Sequence, residues 1–256
     1  MSVTPQELVP NKSIYIERVT CPIYLNEIKD SDLYTDDMRS AAIIWYDGIL
    51  KSTKYKELID NSRINPSQYL NKIPGMDEIC YKYNLFKILN KNQKKDFFPQ
   101  TFLIPDNKDD LLKELKKKKN DNCSWIRKPG SSYGGKGIEI FQKNLIESQI
   151  NPSDQTFVVQ EYISPYLIDE HKFDLRLHLL ITSVEPLALY IFKEGIARFC
   201  SEKYEEPNSK NVQNKYQHLT NSSLNCKNTN EFKFIRPATE ILNQIEPDSD
   251  NLWRRK

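Results

Sequence analysis

The stretch Trp125-Ile-Arg-Lys-Pro-Gly-Ser-Ser-Tyr-Gly-Gly-Lys-Gly-Ile-Glu-Ile-Phe141 places Gly130, Gly134, Gly135 and Gly137 between two apolar runs, in a chain with only seven glycines in 256 residues. Glycine lets backbone N–H groups approach a ligand closely and take positive φ. A Gly-Gly-Lys-Gly loop between strand-like segments therefore has the make-up of a phosphate cradle. Lys128 and Lys136 would bring point charges to phosphate oxygens. The same residues also spell a plain hairpin turn with solvated lysines. What separates the two readings is the sequence around the loop.

Downstream, Thr156-Phe-Val-Val-Gln-Glu-Tyr-Ile163 and Lys172-Phe-Asp-Leu-Arg-Leu-His-Leu-Leu-Ile-Thr182 read as strands. The second alternates in its first half. Lys172, Asp174, Arg176 and His178 fall on one face, and Phe173, Leu175 and Leu177 on the other. An apolar opposite face fixes the register, so Lys172, Asp174 and Arg176 share one environment. Two cations flanking an acid suit a site where ribose hydroxyls meet phosphates; they equally suit the charged outer face of a half-exposed sheet. Leu187 to Phe192 and Ile196 to Cys200 are further β-runs, joined by the hairpin signal Lys193-Glu-Gly195. The Asn- and Lys-rich segment from Glu205 to Lys215 reads as a mobile loop.

Upstream, Ala41-Ala-Ile-Ile-Trp-Tyr46 reads as a buried strand and Asn71-Lys-Ile-Pro-Gly75 as a turn that opens a new unit. Ile79, Tyr83, Phe86 and Leu89 recur at helical spacing over Met76 to Leu89, and Phe97 to Pro105 reads as a strand bounded by prolines. Asp109 to Lys119 begins with acids and ends with bases, which suits a helix dipole. Its run of four lysines either faces an acidic partner or caps a solvated helix end.

Composition removes several function classes. The charged fraction is 28% but the net charge is only +2, which gives no case for nucleic-acid binding. No apolar stretch is long enough to span a bilayer, so no membrane partner is expected, and the first residues lack a signal-peptide pattern. The five cysteines are scattered without Cys-x-x-Cys spacing and read as reduced thiols; the three histidines form no metal cluster.

Taken in order, Trp125-Ile-Arg-Lys-Pro with Gly134-Gly-Lys-Gly-Ile, Val158-Val-Gln-Glu-Tyr-Ile163, Lys172-Phe-Asp-Leu-Arg176, Glu185-Pro-Leu with Gly195 and Arg198, and His218-Leu-Thr-Asn221 resemble the tubulin–tyrosine-ligase-like family. Asn71 to Gly75 and Tyr81-Lys-Tyr83 look like that family's entry to its central domain, and the likeness covers roughly residues 40 to 225. The resemblance implies an α+β fold of the ATP-grasp type, with antiparallel sheets enclosing the nucleotide. The implied domains are a partial N-terminal domain over 1–73, a central domain with the glycine loop over 74–162, and an incomplete C-terminal domain over 163–256.

Residue roles follow from the same resemblance. Lys128 would contact ATP phosphates, with Gly134, Gly135 and Lys136 in the loop above them. Gln160, Glu161, Tyr162 and Ile163 would form the adenine hinge, although relatives usually carry a base where Glu161 stands. Lys172 and Asp174 would hold ribose and phosphate, Thr220 and Asn221 would complete the nucleotide site, and Lys82 is a further phosphate candidate. Arg198 would clamp the carboxylate of the incoming amino acid, for which a guanidinium fork is apt. Ser222 and Ser223 would adjoin that pocket, and Arg176 would steady developing negative charge. The plainer alternatives are a surface ion pair of Arg198 with Glu194 or Glu202, and a helix N-cap at Thr220–Asn221.

The implied activity joins an amino acid, glutamate, to glutamate side chains of tubulin tails through an acylphosphate, with ATP and Mg2+. The implied location is the cytoplasm at the cytoskeleton, including the cilium or basal body. One departure bears on the metal. The family's Mg2+ ligands, an Asp and then a Glu-x-Asn on closing strands, lie well downstream of His-Leu-Thr-Asn. No Glu-x-Asn stands within an apolar strand here, and Glu246-Pro-Asp-Ser-Asp-Asn251 reads as a loop. No residue is therefore assigned to metal, the chain is expected to be truncated, and weak or no ligase activity is expected of it alone. The competing readings are a non-catalytic nucleotide- or tubulin-binding module, a glycylase or tyrosine ligase of the same family, and another ATP-grasp enzyme.

Overall fold

The computed structural model describes residues 13–18, 22–48, 50–60, 64–65, 67–91, 98–117, 123–142, 156–228 and 233–245. The chain divides into two compact units, Met1–Leu85 and Phe86–Lys256. The first holds β1 (Ile14–Arg18), α1 (Pro22–Lys29), β2 (Ile43–Tyr46), α2 (Ser52–Asp60), β3 (Tyr69–Leu70) and α3 (Met76–Cys80). Its three strands form a parallel sheet in the order β1-β2-β3. Parallel neighbours need crossovers, which α1 and α2 supply. The apolar run expected as a strand ends as β2, where Ile44 is fully buried, and Tyr46, Leu50 and Leu58 form the core. The Asn71 side chain ties the following turn to β2, accepting from Tyr46 N at 2.8 Å and donating to Tyr46 O at 3.3 Å.

The helix expected over Met76 to Leu89 is two helices. α3 stops at Tyr81, whose backbone is extended (φ −90°, ψ 124°) with its N–H turned back to Glu78 O, and α4 (Lys82–Lys91) starts afresh. The helical spacing was legible; the break was not, because Tyr81 carries no helix-breaking chemistry. Neither helix buries a residue.

The second unit continues with β4 (Thr101–Ile104), α5 (Lys108–Lys117), β5 (Ser124–Pro129), β6 (Glu139–Gln142), β7 (Phe157–Glu161), β8 (Leu167–Ile168), β9 (His171–Arg176), β10 (Leu179–Val184), β11 (Leu187–Ile191) and β12 (Ile196–Phe199). It ends with short helices α6 (Lys215–His218) and α7 (Ser222–Asn225), then β13 (Ile235–Pro237) and α8 (Ala238–Ile245). Two four-stranded sheets result, in the orders β4-β7-β5-β6 and β13-β12-β9-β8, and every pairing in them is antiparallel. The mixed α and β content with antiparallel sheets agrees with the expected fold class; the parallel sheet of the first unit was not foreseen.

Under the first sheet, Trp125, Phe102, Phe141 and Val159 pack with Leu111 and Leu115 of α5. Trp125 is fully buried against Phe102 at 5.9 Å between ring centres. α5 keeps Asp109 and Asp110 in its first turn as read; the end of its lysine run lies outside the described residues. Under the second sheet, Phe199 stacks on Phe173 at 5.3 Å, with Ile168, Ala197 and Ile241 of α8 around them. Ile126 and Ile140 of the first sheet pack against Leu219, just before Thr220.

Two strand readings need correction. The strand expected from Lys172 to Thr182 breaks into β9 and β10, which join different sheets. The runs at Leu187 and Ile196 do not pair with each other; β11 pairs with β10, and β12 lies between β9 and β13. Gly195 permits the crossing between them, since a Cβ there would sit 2.8 Å from both the Arg176 carbonyl oxygen and the Leu177 side chain. The opposite face of β9 buries His171 and half-buries Phe173, while Leu175 and, just beyond the strand, Leu177 are exposed. The β10–β11 hairpin is apolar and exposed on both faces, Leu180 at 62% and Ile191 at 68%. The segment from Glu205 to Lys215 is irregular as read, but pinned: Asn211 is buried and bonded to Glu205 and Glu206.

Cys80, Cys123, Cys200 and Cys226 are free thiols, and Cys21 lies outside the described residues. No helix among the described residues is long and apolar enough to cross a membrane.

Asn225, fully buried, ties the segment after α6 to the end of β12. Its carbonyl accepts from Ser201 N and Ser201 Oγ, both at 2.8 Å, and its amide donates to Leu219 O at 2.8 Å and Asn221 O at 3.0 Å. Removing this amide strands buried backbone groups, each costing about 1–3 kcal/mol. Asn225→Ala is expected to lower unfolding stability by about 2–4 kcal/mol in urea titration. A loss near zero would show that water replaces the amide and that this tie is not structural.

Candidate functional site

The glycine loop is the β5–β6 connection of an antiparallel pair, so the hairpin reading is correct as local structure. Its packing adds what a turn does not require. Gly134, Gly135 and Gly137 all take positive φ, at 65°, 77° and 69°. A Cβ on Gly135 would lie 2.7 Å from Asn221 Oδ1, and one on Gly134 would lie 3.4 Å from Ser223 Oγ. The loop thus lies on the segment that follows His218, and glycine is needed for the close approach as well as for φ. Lys136 is exposed in this loop, 5.1 Å from the Tyr133 ring centre.

On the sheet beneath, Lys128 and Gln160 are diagonal neighbours across β5 and β7. Lys128 Nζ donates to Gln160 Oε1 at 2.5 Å, and Gln160 Nε2 donates to Thr101 Oγ1 at 2.8 Å. Gln160 is almost fully buried, so Thr101 fixes its orientation and Gln160 in turn aims the Lys128 ammonium. At the end of β7, Glu161 N donates to Gln100 O and Tyr162 N to Ser124 O, while Ile163 is exposed. The expected hinge therefore leaves the sheet at Ile163. Glu161 stands half-buried at that exit and Tyr162 turns its side chain toward β9.

The polar face of β9 carries two arrangements. Lys172 Nζ donates to Tyr162 Oη at 2.9 Å and lies 4.4 Å from the centre of that ring. Tyr162 Oη is 3.3 Å from His218 Nδ1. Among the described residues no carboxylate lies within ion-pair distance of Lys172. Burial lowers the Lys172 ammonium pKa, and Asp174 and Glu206, whose charges act in the opposite direction, do not pair with it as a contact anion. Burial also pushes the Tyr162 phenol far above its usual value and the Cys200 thiol up to about 12, so neither supplies that anion.

One register step along, Asp174 faces Arg198 across the β9–β12 ladder. Arg198 donates from Nε to Asp174 Oδ1 and from Nη2 to Asp174 Oδ2, both at 2.7 Å, and Thr220 Oγ1 donates to Oδ2 at 2.7 Å. The hydrogen bonds that Arg198 donates to Asp174 raise the Arg198 pKa. The ion pair considered for Arg198 with Glu194 or Glu202 is not formed. Glu194 accepts from Gly195 N and Thr239, and Glu202 from Asn214 and Asn228. Asp174 takes the Nε–Nη2 edge of the guanidinium, so a carboxylate ligand at Arg198 has to use the remaining Nη1–Nη2 edge or displace Asp174.

Asn221 occupies the N-cap position of α7, as the plainer reading had it, but its side chain makes no capping bond. Ser222 begins α7 and Ser223 faces Gly134. Arg176 ends β9 exposed, and His178 lies beyond the strand. Lys82 belongs to the first unit, where burial lowers its ammonium pKa.

The second unit thus holds Lys128 with Gln160, Tyr162 with Lys172 and His218, Asp174 with Arg198 and Thr220, and Asn221 against the glycine loop. Three supporting residues escaped the sequence reading: Thr101, Asn225 and Tyr204, whose ring stands edge-on to His218 at 5.8 Å. Thr101 and Tyr204 carry no motif signal. Asn225 ends the Ser222-Ser-Leu-Asn225 run and was readable only as part of a loop.

The model of the tubulin-tyrosine ligase family matches residues 60–242. A Tetrahymena thermophila protein described as a probable beta-tubulin polyglutamylase is 37% identical over 212 residues, covering 75% of this chain and 17% of that protein. Human tubulin polyglutamylase TTLL7 is 35% identical over 237 residues, covering 85% and 26%. Mouse tubulin monoglutamylase TTLL4 is 39% identical over 212 residues, covering 75% and 17%. The chain spans between 17% and 26% of the length of these relatives. With the family pattern running through both sheets and the segment that joins them, the chain belongs to the tubulin-tyrosine ligase family.

Proposed function

We propose that this site holds ATP in an ATP-grasp arrangement, within a ligase that adds glutamate to glutamate side chains of tubulin tails. The observation that carries the reading is the seating of the positive-φ glycine loop on Asn221 and Ser223, together with half-buried Lys172, which has no carboxylate partner among the described residues. A cation without a carboxylate partner among the described residues, in the same unit as a loop of positive-φ glycines, suits a polyphosphate. The relatives' names, tubulin polyglutamylase and monoglutamylase, support glutamate and tubulin as the substrates.

In this reading Lys128 and Lys172 take phosphate oxygens, and the hinge from Gln160 to Ile163 borders the adenine. Thr220 and Asn221 close the nucleotide side, while Ser222 and Ser223 border the amino-acid side. The acceptor carboxylate takes the γ-phosphoryl group as an acylphosphate, releasing ADP. The amine of the free amino acid then attacks the acyl carbon, phosphate leaves and an amide remains. Arg198 would orient the amino-acid carboxylate and Arg176, at the exposed end of β9, would offset negative charge as it develops. Acidic tubulin tails would meet the basic side chains Arg176 and Arg198. A cytoplasmic, cytoskeleton-associated location, including the cilium or basal body, belongs to the same reading.

Mg2+ is different. Among the described residues no three His, Cys, Asp or Glu side chains gather as metal ligands, and Asp174 is engaged by Arg198 and Thr220. The described residues do not form a metal centre, and no step here is assigned to one. The acidic stretch from Glu246 to Asn251 lies outside the described residues.

Two variants test the reading. Lys128→Ala is expected to weaken ATP binding by about ten- to a hundredfold in calorimetry, the scale of one charge-assisted hydrogen bond. Unchanged affinity would remove Lys128 from the site. Arg198→Lys keeps a cation beside Asp174 but loses the fork. It is expected to weaken glutamate binding in calorimetry by about tenfold or more, with ATP affinity within about threefold of wild type. Loss of ATP binding instead would place Arg198 on the nucleotide side.

A further inference from the structure

Lys172 is held more closely than a cation waiting for phosphate requires. Tyr162 grips it twice, through its hydroxyl at 2.9 Å and through the ring face at 4.4 Å from the centre. The hydroxyl oxygen accepts from the ammonium and keeps one proton to donate. His218 Nδ1, 3.3 Å away, is placed to receive it. The two rings stand edge-on at 5.9 Å and Tyr204 adds a second edge-on contact to the imidazole, which fixes the ring plane. With Nδ1 accepting, the imidazole is neutral and carries its proton on Nε2.

The surroundings agree. Burial and the nearby Lys172 charge both lower the His218 pKa. The titratable groups that act on this pair are Tyr162, Tyr204, Cys200, Asp174, Glu205 and Glu206. Asp174 is taken up by Arg198 and Thr220, and Glu206 accepts from Tyr204 at 3.1 Å. A protonated His218 would turn Nδ1 into a donor. It would set two cationic donors on one phenol oxygen and place a second positive charge beside Lys172.

We infer that Tyr162 and His218 are positioning residues, a directed relay from Lys172 through Tyr162 to His218 that fixes the ammonium toward a nucleotide phosphate. The inference rests on the proposed nucleotide site, and Tyr162 acts in it through its side chain rather than through the hinge backbone. His171 is an internal contrast. Its Nδ1 faces the Cys200 carbonyl at 3.2 Å, an acceptor only, so that nitrogen must carry a proton.

The test uses Tyr162→Phe, which keeps the ring face and deletes the hydroxyl. Imidazole 15N shifts of the labelled chain, with the signals assigned by single histidine-to-glutamine variants, read the tautomers directly. Wild type is expected to show His218 neutral with the proton on Nε2 at neutral pH, and Tyr162→Phe to shift its Nδ1 signal and its titration. ATP affinity measured by calorimetry is expected to fall about tenfold in Tyr162→Phe, with the melting temperature little changed. A wild-type His218 that is charged or protonated on Nδ1 overturns the relay, whatever the nucleotide result. An ATP affinity equal to wild type in Tyr162→Phe overturns the positioning role. Wild-type chain that binds no ATP overturns the nucleotide site, and with it the purpose assigned to the relay, while the 15N shifts still decide whether the relay exists.

Discussion

Asp174 is the carboxylate on which the site depends. It sits at one rung of the β9–β12 ladder, opposite Arg198, and accepts both donors of a bidentate guanidinium. The same carboxylate accepts from Thr220, forty-six residues along the chain. This one group therefore aligns two strands and draws in the segment from His218 to Asn221. Asn221 then meets Gly135 of the glycine loop, which belongs to the other sheet of the unit. Because Asp174 is partly exposed, its ion pair adds modest stability. Its larger effect is geometric, since a bidentate pair tolerates little rotation.

Around that anchor Asn225 and Gln160 are fully hydrogen-bonded, whereas Lys172 lacks a carboxylate and the buried His218 Nε2 has no hydrogen-bond partner among the described residues. Asn225 satisfies two backbone carbonyls, a backbone N–H and a hydroxyl from a fully buried position. Gln160 uses both ends of its amide, one toward Lys128 and one toward Thr101. Lys172 has a phenol and a ring face and no carboxylate among the described residues. Desolvating a cation without an anion is unfavourable, and proteins tolerate it where a ligand completes the pairing.

Much of the second unit was legible from local pattern. Val158 and Val159 read as a buried strand because an unbroken apolar run between polar ends has few other solutions, and they are the centre of β7. Asp109 and Asp110 marked the start of α5 through the helix dipole. The strand through Leu177 was misjudged because its apolar pattern continues without interruption, while the chain changes sheets there. Hydrophobic periodicity reports burial and says nothing of partner. The hairpin signal at Lys193-Glu-Gly195 failed for a related reason: Gly195 serves a close crossing over the Arg176 carbonyl rather than a turn between paired strands.

By itself the sequence determined which residue types would carry the chemistry and in what order, from the glycine cluster through Lys172-Phe-Asp-Leu-Arg176 to His218-Leu-Thr-Asn221. Those blocks are local, and their spacing along a strand or loop follows from backbone geometry alone. Only the tertiary structure decided their partners. Arg198 chose Asp174 over Glu194 and Glu202 because strand register puts it there, and the Tyr162 side chain meets Lys172, a contact across two sheets that the strand pattern does not encode. Such pairings join residues far apart in the chain, and no local pattern of charge or hydropathy encodes which of several acids an arginine will meet.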